Sequence, residues 1–153
     1  MTGSVRPPVD LDRIRSRVAD IRAGLEVLRE YAARSDQDFL GNPEAIRSAR
    51  YEFIVVVEAA ASICNHLCAR VAKRAPSSYG ECFLLLGEMG VVPEDLAVRL
   101  GKMAGFRNLL VHGYAKVDNV RMLQIMRNDL GDLEQYLTCV EAFLRAHHEG
   151  RAE

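Results

Sequence analysis

The sequence contains no tryptophan, only three lysines beside seventeen arginines, and almost no net charge, with a formal value of −1 at pH 7. Proteins that bind nucleic acid usually carry a basic face. Since this chain has no overall positive charge, any contact with a nucleic acid has to depend on a local cluster of arginines.

Long apolar segments are absent as well. No run approaches the ~20 apolar residues that a membrane-spanning helix needs. The opening MTGSVRPPVD has no apolar signal-peptide core. We therefore expect a cytoplasmic protein that makes no contact with a membrane.

Cysteine is scarce too. Four cysteines in a chain without a secretory signal predict reduced thiols. Cys64 and Cys68 would share one face of a helix, whereas His66 would point roughly 160° away from their midline. Because no Cys-x2-Cys pair accompanies them, we interpret them as buried free cysteines. We predict no metal site and no cofactor.

The pattern that is present has a helical period. With 49% hydrophobic and 27% charged residues, the 153-residue chain has the composition of one soluble globular domain. It contains no alternating β-type run and no repeat. We predict an all-α, up-and-down bundle of about five helices over residues 10–147. Residues 1–9 are expected to form a flexible tail and residues 148–153 a disordered one.

Each predicted helix begins at a capping residue or a proline. The starts are, in chain order, Asp10, Asn42-Pro43, Ser78, Pro93 and Asp118. We expect the first helix to end near Arg34 and the second near Arg74, with one irregular turn between them. Ser78 forms a capping box with Glu81, and Gly105 predicts a kink or break in the fourth helix. His147, His148 and Glu149 follow the last helix, where we expect them to be solvated.

The stretch from Phe106 to Tyr114, FRNLLVHGY, combines polar and apolar residues at regular spacing. On a helix Asn108 and His112 would share one face, with Arg107 about 140° around the axis from His112. Three apolar residues between them are expected to anchor the segment to the core: Leu109, Leu110 and Val111. Gly113 is a candidate C-cap, since glycine enters the left-handed conformation without steric cost.

This stretch resembles the R-x4-6-H signature of the HEPN superfamily (higher eukaryotes and prokaryotes nucleotide-binding domains). It is closer still to the R-x4-H-x-Y form of HepT-type ribonuclease toxins, with Arg107, His112 and Tyr114 in the three positions. The likeness extends from about Asp10 to His147 and includes segments such as YEFIVVVEAAASICNHLCAR. It implies a HEPN-like fold, a homodimer, and the toxin half of a type VII-like toxin–antitoxin pair.

The resemblance also implies a metal-independent endoribonuclease. RNA can be cut without a metal when a base deprotonates the ribose 2′-hydroxyl, which then attacks the adjacent phosphate. An imidazole with an unperturbed pKa of ~6.5 can act as that base or as an acid, and a guanidinium can neutralise charge on the phosphate. We assign these roles to His112 and Arg107, while Asn108 holds His112 or bonds the phosphate. A two-fold dimer would supply both an acid and a base.

Tyr114 is the expected modification site. In HepT-like modules the antitoxin is a minimal nucleotidyltransferase that attaches AMP to the tyrosine of this motif. Added phosphodiester charge beside the cleft would compete with RNA phosphate. The implied partners are therefore RNA, a second copy of the chain, and a cognate nucleotidyltransferase in a possible higher complex.

Other interpretations stay open. The chain can be a non-catalytic HEPN protein that binds a partner nucleotidyltransferase, or a purely structural helical dimer. Arg107 can belong to a surface ion pair with Glu94 or Asp95, and His112 can be an exposed histidine at a helix end. Asn108 can be an ordinary surface amide and Tyr114 a cover for one end of the bundle.

Overall fold

The computed structural model of the chain describes residues 9–113 and 118–152, with side chains described as far as His147. Within these ranges the chain forms seven α-helices and no strand, so the all-α prediction is confirmed. The helices are α1 (Leu11–Ala32), α2 (Asp36–Leu40), α3 (Pro43–Leu67), α4 (Tyr79–Glu88), α5 (Glu94–His112), α6 (Asn119–Asn128) and α7 (Leu130–Ala152). A π-helical turn, Cys68–Ala72, follows α3 directly.

The long helices pack side by side in alternating directions. α1 is antiparallel to α7, because the ion pairs between them run in opposite order along the two helices: Arg22–Glu141 and Arg29–Glu134. α4 and α5 are antiparallel for the same reason, since Gly87 faces Ala97 and Gly80 faces Gly101. An up-and-down bundle results.

Local capping explains where the helices begin. The Asp10 carboxylate accepts a hydrogen bond from the Arg13 N–H, and the Asn42 side chain accepts from the first turn of α3. The Ser78 hydroxyl accepts from the Glu81 N–H at 3.1 Å, as the capping box predicts. The Glu81 carboxylate accepts from the Ser77 N–H instead of completing the box at Ser78. Pro93 and Asp118 cap α5 and α6.

The second predicted helix is shorter than expected. α3 ends at Leu67, and the chain continues as the π-helical turn until Lys73, which has a φ of 55°. A non-glycine residue in the left-handed region ends helical geometry. The proline at Pro76 then disfavours helical geometry in the residue before it. Instead of one helix that ends near Arg74, the chain forms an α-helix, then a π-helical turn, and then a left-handed residue at which helical geometry ends.

α3 lies in the centre of the core, which confirms the burial predicted from its apolar surface. Phe53 packs edge-on against Phe106 of α5, and the buried Tyr136 of α7 donates a hydrogen bond to the Ala60 carbonyl at 2.8 Å. The span Pro43–Ala72 is long and apolar enough to cross a membrane by length and composition, contrary to our reading of the sequence. However, 56% of its most apolar window is buried in the bundle, as in the core helix of a soluble protein.

Two short elements raise the helix count above five. The expected irregular turn after α1 is the helix α2, which Ser35 caps and whose Phe39 is fully buried. The last predicted helix is divided at Asp129 into α6 and α7. Arg127 at the end of α6 donates to the carbonyl oxygens of Ala32 and Arg34 and thereby joins this corner to the end of α1.

Two side-chain predictions are wrong. Cys64 of α3 and Cys82 of α4 form a disulfide, which contradicts the prediction of four reduced thiols. The helix packing brings together two cysteines that are 18 residues apart in the chain. His147 is 7% exposed and stacks on Phe143, with ring centroids 5.5 Å apart, which contradicts the prediction that it is solvated. α7 continues to Ala152, so His147 lies on a helix face instead of in a tail.

Candidate active site

The motif stretch occupies the C-terminal end of α5. The helix passes through Gly105 without a break, so the break that the glycine allows in the fourth predicted helix does not occur. A Cβ at Gly105 would meet no atom within 4 Å, so the helix packs there without any close neighbour. Because α5 is continuous, the side chains of the motif keep helical spacing up to His112.

Arg107 has the most fully specified environment in the motif. Its side chain is 14% exposed, and its Nη2 forms an ion pair with the Glu58 carboxylate of α3. Its Nη1 donates to the Asn108 side-chain oxygen at 2.9 Å. The guanidinium carbon lies 5.1 Å from the ring centroid of Tyr79 at the start of α4. Three helices therefore contribute to the orientation of one guanidinium.

The ion-pair partner of Arg107 is Glu58, and not Glu94 or Asp95 as the alternative interpretation of the sequence predicts. Asp95 pairs with Arg99 at 3.0 Å, one turn along the same helix, and Glu94 has no ion pair within residues 9–113 and 118–152. Arg107 points inward to α3 because its position lies beside the buried stripe of α5, which includes Phe106 and Leu110.

Asn108 and His112 lie on one exposed face of α5, one turn apart, as predicted. His112 is the last residue of the helix. The Asn108 oxygen already accepts from Arg107, so Asn108 connects the guanidinium to the face that carries His112.

The three apolar residues between Asn108 and His112 do not all anchor the helix to the core, contrary to prediction. Only Leu110 is buried, whereas Leu109 is 51% and Val111 37% exposed. Consecutive residues on a helix point about 100° apart, so three in a row cannot face one core. The exposed pair places apolar surface beside His112.

Gly113 caps α5, but without the left-handed conformation that the sequence predicts. Its φ is −85°, and its N–H donates to the Leu109 carbonyl at 2.7 Å. A Cβ at this glycine would lie 2.5 Å from that carbonyl oxygen, so the cap depends on close backbone approach. Tyr114 lies outside the described residues, and its expected role stays a prediction.

A family model described as "Ribonuclease HepT-like" matches residues 21–140, which include the whole of α5. The chain belongs to the ribonuclease HepT-like family. The HEPN and HepT resemblance inferred from the motif is thereby confirmed.

HepT-like relatives include named nucleases. An mRNA nuclease HepT from Shewanella oneidensis is 29% identical over 85 residues, which are 56% of this chain and 64% of that protein. The alignment thus spans less than two thirds of the Shewanella protein. A tRNA nuclease HepT from Aphanizomenon flos-aquae is 23% identical over 131 residues, or 86% of this chain and 89% of that protein.

Solved structures share the HepT-like fold. A tri-AMPylated HEPN toxin of Shewanella oneidensis, in complex with an MNT antitoxin, superimposes with a TM-score of 0.80 at 24% identity. That match covers 86% of this chain and 98% of the toxin. YutE, a cytosolic protein of unknown function from Bacillus subtilis, has the same TM-score at 17% identity, covering 92% and 94% of the two chains. At these identities the likeness shows the fold alone.

Two residues of this candidate site, Glu58 and Tyr79, are not predicted from the sequence. A signal for Glu58 was present, because it is the only charged residue in the apolar segment from Phe53 to Ala61. A charge in a buried segment needs a partner. Tyr79 had no comparable signal, since it comes to Arg107 only through the packing of α4 on α5.

The HepT-like chain also brings three sulfur atoms together away from the motif. Within the described residues, the sulfurs of Cys64, Cys68 and Cys82 all lie within 4.8 Å of one another. Cys64 and Cys82 are bonded to each other, which leaves Cys68 as the thiol. Burial raises the pKa of Cys68 to about 11. A metal ligand has to be a thiolate, so this form of the cluster is poorly suited to hold a metal.

Proposed function

We propose that this HepT-like chain is a metal-independent endoribonuclease toxin that acts as a homodimer in the cytoplasm. The observation that carries the proposal is the arrangement of Arg107, Asn108 and His112 at the end of α5. A fixed guanidinium is joined through Asn108 to the helix face that carries an exposed imidazole. The names of the relatives from Shewanella and Aphanizomenon support RNA as the substrate.

Cleavage begins when His112 removes the proton of a ribose 2′-hydroxyl. The oxygen attacks the adjacent phosphorus, and the 5′-oxygen leaves with a proton from a second histidine. The products are a 2′,3′-cyclic phosphate and a 5′-hydroxyl, so no water or metal enters this step. Arg107 neutralises the charge that develops on the phosphoryl oxygens.

A dimer supplies the second histidine. Leu109 and Val111 expose apolar surface in the turn of α5 that precedes His112, and burial of this surface would favour association of two copies. Two-fold symmetry then places both copies of the motif at one interface. One His112 acts as base and the other as acid.

A nucleotidyltransferase antitoxin controls the activity. The Shewanella toxin with the same fold is described as tri-AMPylated and in complex with an MNT antitoxin. We assign the equivalent modification in this chain to Tyr114, two residues after His112. Negative phosphodiester groups there would repel the RNA backbone from the cleft.

Growth and cleavage assays test the nuclease. We expect induction of the chain alone to arrest bacterial growth, and His112→Ala to abolish the arrest while helical content is retained. Purified protein should cut RNA in EDTA and leave cyclic-phosphate ends. Equal toxicity of both versions, or strict metal dependence, would refute the proposed chemistry.

Mass spectrometry tests the control by AMP. After co-expression with a minimal nucleotidyltransferase from the same operon, the intact mass should rise in AMP-sized steps. Tyr114→Phe should remove this increase. An unchanged mass of the unsubstituted chain would reject Tyr114 as the modified residue and favour a HEPN protein that only binds the transferase.

A further inference from the structure

The Arg107 guanidinium is held from three directions by groups on three helices. Glu58 of α3 pairs with Nη2, Asn108 of α5 accepts from Nη1, and the Tyr79 ring of α4 lies 5.1 Å below the guanidinium carbon. Glu58 is 49 residues away in the chain, and Tyr79 is 28 residues away. No local sequence constraint brings either residue to the motif.

A carboxylate is needed at this place for an electrostatic reason. The Arg107 side chain is 14% exposed, and a charge with so little water contact is costly without a partner. The Glu58 side chain is 44% exposed, so its own charge stays largely hydrated. The ion pair therefore stabilises Arg107 in one position, while Glu58 remains partly exposed to solvent.

The Tyr79 ring constrains the guanidinium in a second direction. An arginine above an aromatic face is attracted to it and lies preferentially over the ring. Tyr79 is the first residue of α4, and the Ser78 cap fixes where that helix begins. The packing of α4 on α5 thus places an aromatic ring against the guanidinium, while Glu58 of α3 holds its Nη2.

We propose that Glu58 is a positioning residue for Arg107, with the Tyr79 ring as its second support, and that both act on the RNA cleavage proposed above. Glu58 does not touch the substrate. It holds the guanidinium ready to meet the phosphate in the transition state, so that Arg107 need not reorganise during the reaction.

Steady-state kinetics on RNA distinguish this role from its alternatives. We expect Glu58→Ala to lower kcat about 100-fold, since misplacement by ~1 Å of a catalytic group can have that effect. KM should stay unchanged or fall, because a negative charge near the phosphate has been removed. Glu58→Gln keeps an oxygen acceptor and should recover part of kcat.

A matched control variant distinguishes a positioning role of Glu58 from an effect on the stability of the fold. Glu141 is 45% exposed, close to the 44% of Glu58, and pairs with Arg22 across α1 and α7, so Glu141→Ala removes a carboxylate of similar exposure from an ion pair away from the motif. This control should leave kcat unchanged. If Glu58→Ala also leaves kcat unchanged and lowers only the melting temperature, Glu58 is structural and the proposal fails. A rise in kcat/KM would show that Glu58 blocks Arg107, which also overturns it.

A double substitution tests whether Glu58 acts through Arg107. Arg107→Ala alone should lower kcat strongly, and adding Glu58→Ala should lower it no further. Additive losses would mean that Glu58 acts on something other than Arg107. Tyr79→Phe keeps the ring and should keep kcat, whereas Tyr79→Leu should lower it several-fold; equal kcat values would remove Tyr79 from the proposal.

The result for Glu58 can be distinguished from a failure of the nuclease proposal itself. If the unsubstituted chain cuts no RNA, the enzymatic function itself is wrong. If it cuts RNA and His112→Ala does not, the comparison of Glu58→Ala with Glu141→Ala decides the role of Glu58 alone.

Discussion

His66 lies on α3, and its Nε2 accepts a hydrogen bond from the Asp10 N–H at 2.9 Å. Burial, followed by the positive charges of Arg70 and Arg13, lowers the pKa of His66 below its ordinary value of 6.5. The folded protein therefore favours the neutral imidazole, which is the form that can accept this bond.

The lowered pKa predicts pH-dependent stability. Unfolded His66 binds a proton below about pH 6.5, whereas the folded form resists protonation. The stabilisation is complete above pH 6.5 and is lost as the pH falls through the lower, folded-state pKa. Urea unfolding should give a lower free energy of unfolding at pH 5.5 than at pH 7.5. His66→Gln keeps an acceptor without titrating, so it should reduce this difference; an unchanged difference would assign it to other groups.

Tyr136 is another buried residue with a single defined polar contact, its hydrogen bond to the Ala60 carbonyl at 2.8 Å. Tyr136→Phe removes the hydroxyl and keeps the ring, so we expect a loss of about 1 kcal/mol in unfolding free energy. Tyr51→Phe is the control, because Tyr51 is 65% exposed and should change stability very little. Equal effects at the two positions would contradict this assignment.

At the scale of helices, two glycines in helix interiors have opposite environments. A Cβ at Gly24 of α1 would lie 2.2 Å from the Val56 Cγ1 of α3, whereas a Cβ at Gly105 of α5 would meet nothing within 4 Å. Gly24→Ala should destabilise the chain by about 1–3 kcal/mol through overpacking. Gly105→Ala should stabilise it by roughly 0.5–1 kcal/mol through lower backbone entropy. Denaturant unfolding measures both, and the same sign for both would contradict the packing.

The disulfide between α3 and α4 is a second constraint at this scale. It closes a loop of 18 residues, for which chain entropy predicts about 3 kcal/mol of stabilisation. Urea unfolding in the presence of a reductant should therefore show an unfolding free energy lower by about that amount. Cys139→Ser is a suitable control, because Cys139 is a free cysteine. No change on reduction would show that the bond does not contribute to stability.

At the scale of the whole molecule, the exposed apolar residues of the motif predict self-association. Leu109→Glu should give a monomer in sedimentation experiments and abolish RNA cleavage, because a charge at the interface opposes burial and separates the two histidines. Leu84→Glu on α4 is the matched control, since Leu84 is 49% and Leu109 51% exposed. A dimer that survives Leu109→Glu with full activity would place the interface elsewhere.

The candidate site was predictable from the sequence only in part. The spacing of Asn108 and His112 gave their common helix face, because helical geometry is local. The partners of Arg107 were not predictable, since Glu94 and Asp95 were equally acceptable by charge. Glu58 is the partner because α3 packs against α5, and the same packing makes Leu110 buried while Leu109 and Val111 stay exposed.

The sequence by itself determined the helical class, the R-x4-H-x-Y motif and the starts of five of the seven α-helices in the described residues. Capping bonds and hydrophobic periodicity act over three or four residues, so they can be read directly from the chain. Tertiary structure alone decided the Cys64–Cys82 bond, the burial of His147 and the support of Arg107. Each of these features depends on how whole helices pack against one another. Short-range rules of capping and periodicity do not determine that packing.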